Sequence, residues 1–452
     1  MTISKYTGNR KMNFTILSFA LPIMLQVFVT GSINYVDSLT IGKLGDAAVG
    51  GVTAVNRFYA VMSAATNSIV SAAGIYISQF MGAGDRKKVR QSFRAGLILT
   101  VLVTVPFFGA AMMFPTQIVS FFNRSPAIVA AGASYLNIIK LSYGPLCLSL
   151  VISNALYSTG HVKIPLYVSG SVVIFKIGMN LVLLNGVGGA APGTEAIAAA
   201  TVAARLGELA LYLYLLKKRK YCFCTKVAEV FHVPKDLMKS IFVKAIPFCI
   251  NNFLWSASNA FLLKVYGARG ELEYNAFAIT ATLHDIFVTI NGGFGSAVSI
   301  LVAQKLGSGS MGESRDFAKR TYGVSLAVSV ALSAVMFGQS GLIGIVYQGM
   351  SPEVLAMARR LTQLQALGFI PYQMGMHGYY ILKAGGDMKS IVIMDSIATW
   401  LIQIPIFAFT AYCTGAGVYL LYISSQVGEV IKLAISLRLL RRERWLVNLA
   451  GT

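Results

Sequence analysis

The sequence predicts an all-α integral membrane protein: twelve transmembrane helices in two pseudo-symmetric six-helix lobes, related as parallel repeats, with both termini cytoplasmic. Three observations carry this reading. The 452 residues are 56% hydrophobic and only 12% charged, whereas soluble domains carry about 25% charged residues. Twelve apolar segments are each long enough to cross a hydrocarbon core of about 30 Å. The second half of the chain also repeats the first at a shift of 225 residues.

Segment 1 covers about 14–39, and from Met12 to Val36 it holds no charged side chain before Asp37. It is too long for a removable leader, and no small-residue cleavage site follows it. Segments 2 and 3, about 49–80 and 91–113, flank the basic loop GAGDRKKVR. Segment 4, about 127–157, opens on Ser125-Pro126, a helix-start signal. Segments 5 and 6 fall at about 163–187 and 194–217. The first lobe is read as 1–220, ending in a cytoplasmic linker at 216–240, and the second as 221–452. Its segments lie at about 238–264, 274–305, 316–340, 352–383, 390–413 and 417–441. Several exceed the roughly 20 residues a span needs, so tilts and kinks are expected.

The net charge of +21 would suit nucleic acid, but its placement argues otherwise. Of the 38 Lys and Arg, 28 fall on the side that holds both termini, which makes that side cytoplasmic. Short basic blocks between apolar runs fit anionic lipid headgroups, so membrane lipids are the expected partner and nucleic acid is not. Cys222 and Cys224 form a CxC in a basic loop, read as an idle pair.

The repeat is specific. At 225 residues Pro22 falls on Pro247, Asn34 on Asn259, Gly45 on Gly270 and Gln79 on Gln304. With one more residue Ser125-Pro126 falls on Ser351-Pro352, Pro145 on Pro371 and Gly160 on Gly386. Six helices return the chain to the side it started from, so the lobes are parallel copies, a pattern found in transporters. Pro22 and Pro247 lie inside their helices, where the missing N–H and the ring kink the backbone; both are candidate hinges.

Of seventeen acidic residues, five lie inside segments, where a charge costs about 2.5–3.5 kcal/mol on insertion scales. Glu208 follows Arg205 by three residues and Glu429 precedes Lys432 by three, spacings that favour pairing on one helix face. Asp395 reads as interfacial. Asp285 beside His284 is a second candidate proton site. Asp37 maps onto Leu262 in the repeat, so its position is one that also suits leucine. Asn34, one turn earlier on the same face, is placed to share its ligand. Gln26 and its repeat partner Asn251, with Asn252 and Trp255, are candidate substrate-cavity residues, since amides and an indole suit an amphipathic cation. That cavity is expected between the lobes.

QFMGAGDRKKVRQSFRAG (79–96), ALYSTGHVKIP (155–165) and YILKAGGDMKS (380–390) resemble the corresponding loops of the multidrug and toxic compound extrusion (MATE) transporters, in the prokaryotic branch with an Asp in helix 1. The resemblance implies an antiporter that exports amphipathic, mostly cationic organic compounds by alternating access, driven by H⁺ or Na⁺ entry. It needs no cofactor and works as a monomer in the bacterial cytoplasmic (inner) membrane. It also implies that Asp37 and Asn34, with Asn154, Asn180 and Thr201, hold the coupling ion. The family often has a second acid where this chain has Leu184, and Lys176 stands one turn before Asn180. That departure favours protons, or a weak Na⁺ site at Asp37 and Asn180. The rival readings are a lipid-linked precursor flippase of the same superfamily and a membrane enzyme. The enzyme reading fails for want of HExxH, GxSxG or a Walker loop, and the four histidines form no constellation.

Overall fold

The computed structural model describes residues 10–42, 44–184, 193–225 and 227–451, with the side chains of 32–39, 42, 181, 183, 184 and 227 outside that description. Over the described residues, each of the twelve expected segments is helical, segment 5 being followed as far as Leu184. In order the helices are α1 (Arg10–Gly42), α2 (Asp46–Gly82), α3 (Arg86–Met113), α4 (Pro115–Phe122), α5 (Pro126–Ile139), α6 (Tyr143–Ser158), α7 (Lys163–Leu184) and α8 (Thr194–Arg219). Then come α9 (Lys235–Arg269), α10 (Glu271–Gly307), α11 (Met311–Gln339), α12 (Ile343–Val346), α13 (Pro352–Ala384), α14 (Met388–Val392), α15 (Ile404–Cys413) and α16 (Val418–Arg441). Among the described residues, ten helical stretches are long and apolar enough to cross a membrane. The chain is a multi-pass membrane protein.

Two compact units emerge: Leu25–Ile246, here the first unit, and Pro247–Thr452 with Met1–Met24, the second. The divisions fall inside α1, just after Pro22, and inside α9 at Pro247. The sequence alone places the boundary at 220/221.

In the first unit the core gathers Val52, Val55 and Met62 of α2, Tyr135 and Leu136 of α5, and Ile197 of α8. Gly51 and Gly132 let α2 and α5 approach closely, for a Cβ on either would meet the other's backbone. Small residues are the usual means of close helix contact in membranes. The segment expected as a linker is tied down. Arg94 Nε donates to Thr225 Oγ1 at 2.7 Å, Arg94 pairs with Glu229, and Phe223 is buried against Phe93.

The second unit is built around α13, whose neighbours are α10, α11 and α16. Tyr266, Ile279, Leu361, Phe407 and Leu421 form its core. The repeat is visible in the backbone itself. Among the described residues the glycines with positive φ are Gly45 and Gly270, Gly84 and Gly309, and Gly160 and Gly386, three repeat-related pairs at turns that other residues adopt only with strain. Pro126 and Pro352 both occupy the first helical turn, as their dipeptides predicted.

The helices also depart from twelve unbroken spans. Segment 3 is followed by the short helix α4, and segment 11 is not regular. Between α14 and α15 the chain makes π-helical turns at Ile393–Ile397 and Thr399–Gln403. Such turns cluster at functional sites because they re-aim side chains.

Candidate functional site

The irregular stretch of the second unit faces a cavity of about 210 Å³. Asn251 of α9 donates through Nδ2 to Asp395 Oδ2 at 2.9 Å and accepts from Ser396 Oγ at 2.6 Å. One amide is thus satisfied at both ends by consecutive residues of the first π turn. Gln403, closing the second turn, donates to Glu429 Oε1 and to Ser425 O, each at 3.0 Å. Between the two acids lies Lys432, 3.1 Å from Glu429 and 3.7 Å from Asp395. Asp395 is 7% exposed. Its charge is therefore met by protein groups rather than by the interfacial water that its place in the sequence suggested. Its partners stand on α9 and α16, some 140 residues and 40 residues away along the chain, where counting from the segment's end cannot see them. The i,i+3 pairing expected for Glu429 and Lys432 is present. The cluster carries two carboxylates against one ammonium, a formal excess of one negative charge. Burial makes such an excess costly unless a cation or proton answers it.

Asn252 and Trp255 of α9 line the same cavity, with Tyr372, Tyr379 and Tyr380 of α13. Three of the four expected cavity residues, Asn251, Asn252 and Trp255, are thus brought together. Gln26 belongs to the first unit, where it donates to Ser169 Oγ at 3.0 Å and to Thr30 Oγ1. The two repeat-related amides make the same kind of contact. Gln26 meets a neutral serine, and Asn251, its partner in the repeat, meets a carboxylate. Sequence reasoning missed Gln403 and Ser396, although a Gln and a Ser within an apolar segment that also holds Asp395 were a usable signal.

The first unit has its own cavity of about 300 Å³, lined by Thr30, Asn56, Tyr59, Lys176, Thr201 and Arg205 among others. Lys176 is only 3% exposed. Arg205 pairs with Glu208 at 2.7 Å, as the spacing predicted. This pair stands 12 and 15 residues after Gly193. Glu429 and Lys432 stand 12 and 15 after Gly417. The repeats therefore carry the same ion pair in reversed order, the first-unit cavity being lined by the guanidinium of its pair and the second-unit cavity by both the carboxylate and the ammonium.

Of the expected coupling residues, Thr201 lines this cavity and its hydroxyl bonds Ile197 O at 3.0 Å. Asn180 is buried. Asn154 lies so close to Gly74 that a Cβ there would strike its Oδ1. Asp37 and Asn34 lie on α1, but their side chains, like that of Leu184, fall outside the described residues. The candidate proton pair on α10 is not brought together. His284 stands edge-on to Phe369 and Tyr372, whereas Asp285 is exposed. Consecutive helix positions point about 100° apart, which separates them.

Comparison with known proteins agrees with this architecture. The MatE family profile matches the chain twice, at residues 22–182 and 247–409, beginning at the repeat-related Pro22 and Pro247. The chain is 22% identical over 425 residues to the probable multidrug resistance protein NorM of Bradyrhizobium diazoefficiens, covering 92% of this chain and 90% of that one. It shares its fold with an outward-facing multidrug resistance MATE family transporter of the MOP superfamily (TM-score 0.88, 14% identity, 98% and 97% of the chains). It also shares it with a crystal structure of MATE in the bent conformation (TM-score 0.86, 15% identity, 100% and 99%). Two matched segments that together span most of the chain, arranged as tandem copies of one helical unit, show that this protein belongs to the MatE family.

Proposed function

We propose that this protein exports amphipathic, mostly cationic organic compounds by alternating access, in exchange for inward-moving H⁺ or Na⁺. The observation that carries the reading is the second-unit cavity. Its net negative charge, its amides and its four aromatic rings suit a lipophilic cation through charge, hydrogen bonding and cation–π contact. The multidrug resistance name of the relative points the same way. In this reading all twelve helices span the bacterial inner membrane, both termini are cytoplasmic, and the protein works as a monomer surrounded by lipid, without a cofactor.

Asp37, with Asn34, Asn154, Asn180 and Thr201, takes the coupling ion. Lys176, buried in the cavity that holds Thr201, places an amine where Na⁺ would want oxygen ligands, which supports protons. One charge moving inward through 100 mV yields about 2.3 kcal/mol, a several-tens-fold bias in substrate distribution. Pro22 and Pro247 are the hinges. The compact units divide beside these two prolines, and a fold relative has been captured in a bent conformation. Flippase activity is the second reading, and Lys176 and Arg205 in the first-unit cavity favour it. Against it, Arg205 is already engaged by Glu208.

The test is ethidium efflux from energised vesicles, comparing wild type with Asp37→Asn while Na⁺ and pH are varied independently. Wild-type efflux should follow the pH gradient and Asp37→Asn should abolish that dependence. Unchanged efflux in the variant removes Asp37 from coupling, and a Na⁺ requirement at constant pH removes the preference for protons.

A further inference from the structure

Helices α11 and α13 run antiparallel and are joined at two heights. His377 Nε2 lies 2.9 Å from Thr321 Oγ1, and Ser333 Oγ donates to Ala366 O at 2.6 Å. Between these contacts the seam advances four residues up α11 for every four back along α13. One turn beyond the Thr321–His377 contact, Ser325 therefore faces Gln373. Both are sealed from solvent, Ser325 at 0% exposure and Gln373 at 1%. Ser325 Oγ, both polar atoms of the Gln373 amide and His377 Nδ1 have no hydrogen-bond partner among the described residues. Buried polar groups are almost always partnered, by protein or by ordered water. Three such side chains placed by this spacing along one seam offer the polar partners that a buried water molecule takes.

Toward the other side of α13 the polar groups continue. A Cβ on Gly378 would collide with Ser436 Oγ and come within 3.0 Å of Tyr322 OH, so both hydroxyls sit over the residue that follows His377. The rings of Tyr322 and His377 are 4.5 Å apart. Ser436 lies one helical turn from Lys432 on α16.

We infer that Ser325, Gln373 and His377 form a binding site for ordered water. From it a wet seam continues by Tyr322 and Ser436 to Lys432, giving protons a route to the Asp395–Glu429–Lys432 cluster. The water site stands on the geometry alone; the use of the route rests on the proton-driven export proposed above. The Ser325 hydroxyl, the imidazole and the hydroxyls of Tyr322 and Ser436, the last of which also donates to Gly375 O at 3.4 Å, are donors and acceptors in series, the arrangement along which protons hop.

Hydroxyl-radical footprinting of the full chain in lipid nanodiscs tests the site, because side chains beside bound water are oxidised even when buried. Tyr322 and His377 should be labelled several-fold above Phe407, a fully buried ring of the dry core. Gln373→Leu should bring His377 down to the Phe407 level and lower the thermal midpoint. Wild-type labelling no greater than that of Phe407, or a midpoint that rises in Gln373→Leu, overturns the site. Efflux separates this inference from the coupling proposal. If ethidium efflux ignores pH, proton coupling fails while the footprint still decides the water site. If efflux follows pH and both Gln373→Leu and Ser325→Ala transport at the wild-type rate, the route is overturned.

Discussion

Lys432 stands between two carboxylates, so the consequence of removing it follows from charge alone. Lys432→Met leaves Asp395 and Glu429 facing each other without a counter-ion. Breaking a buried ion pair in this way costs about 3–5 kcal/mol, which should appear as a lower thermal midpoint in nanodiscs. Adding Glu429→Gln restores the native net charge, and Gln403 keeps an acceptor. The double variant should recover more than half of the loss; if it is as unstable as Lys432→Met, the cluster is not held by charge. At the same scale, burial pushes the thiols of Cys222 and Cys224 up from their ordinary values, while Cys413 is exposed. The thiolate is the reactive species, so at pH 7.5 iodoacetamide should modify Cys413 well before the CxC pair; the reverse order would contradict the packing of that segment. Some of this was visible in the sequence. The i,i+3 partners Arg205–Glu208 and Glu429–Lys432 were legible because a helix fixes their separation. Asp395 was not, because its environment is made by residues of α9 and α16 that no local spacing reveals.

Close approach between helices makes its own demand on single positions. Gly378 of α13 is held against Ser436 of α16 so tightly that a methyl group there meets the serine hydroxyl. Gly378→Ala should therefore cost about 1–3 kcal/mol, the usual penalty of overpacking. Ser436→Ala in the same chain removes the colliding oxygen. The two substitutions should then be strongly non-additive, as expected for residues in contact. A double-mutant cycle of thermal midpoints reads this directly, and additive losses would place α13 and α16 farther apart than described. Element starts were legible in the sequence where a local rule fixes them. Asp85 caps α3 by accepting from the backbone of Lys87 and Lys88, and Pro126 and Pro352 open their helices. The π turns of 393–403 were not legible. No residue type requires them, and they arise where Asp395, Ser396 and Gln403 bend toward partners on neighbouring helices.

The division of the chain into units has a consequence that a simple two-halves picture lacks. Duplication was legible from the 225-residue shift, and the positive-φ glycines show that it extends to backbone geometry. Where the units part was not legible, because hydropathy marks the ends of helices and not which half of a helix packs with which bundle. Met1–Met24 belongs with Pro247–Thr452, and Ile16, Ala20 and Ile23 in it are essentially fully buried. Inside a bilayer such burial stabilises through close packing rather than through removal from water, because lipid tails are as apolar as these side chains. A fragment covering 235–452 should consequently be aggregation-prone when expressed alone, since the apolar surface that receives those residues is left open. Co-expression with fragment 1–234 should restore a monodisperse complex and ethidium efflux, and deleting residues 10–24 from that partner should abolish the rescue. Size-exclusion profiles and efflux of the three combinations decide it. A fragment 235–452 that is monodisperse by itself would mean that the unit is complete without the first half of α1, and that the lobes part at the linker after all.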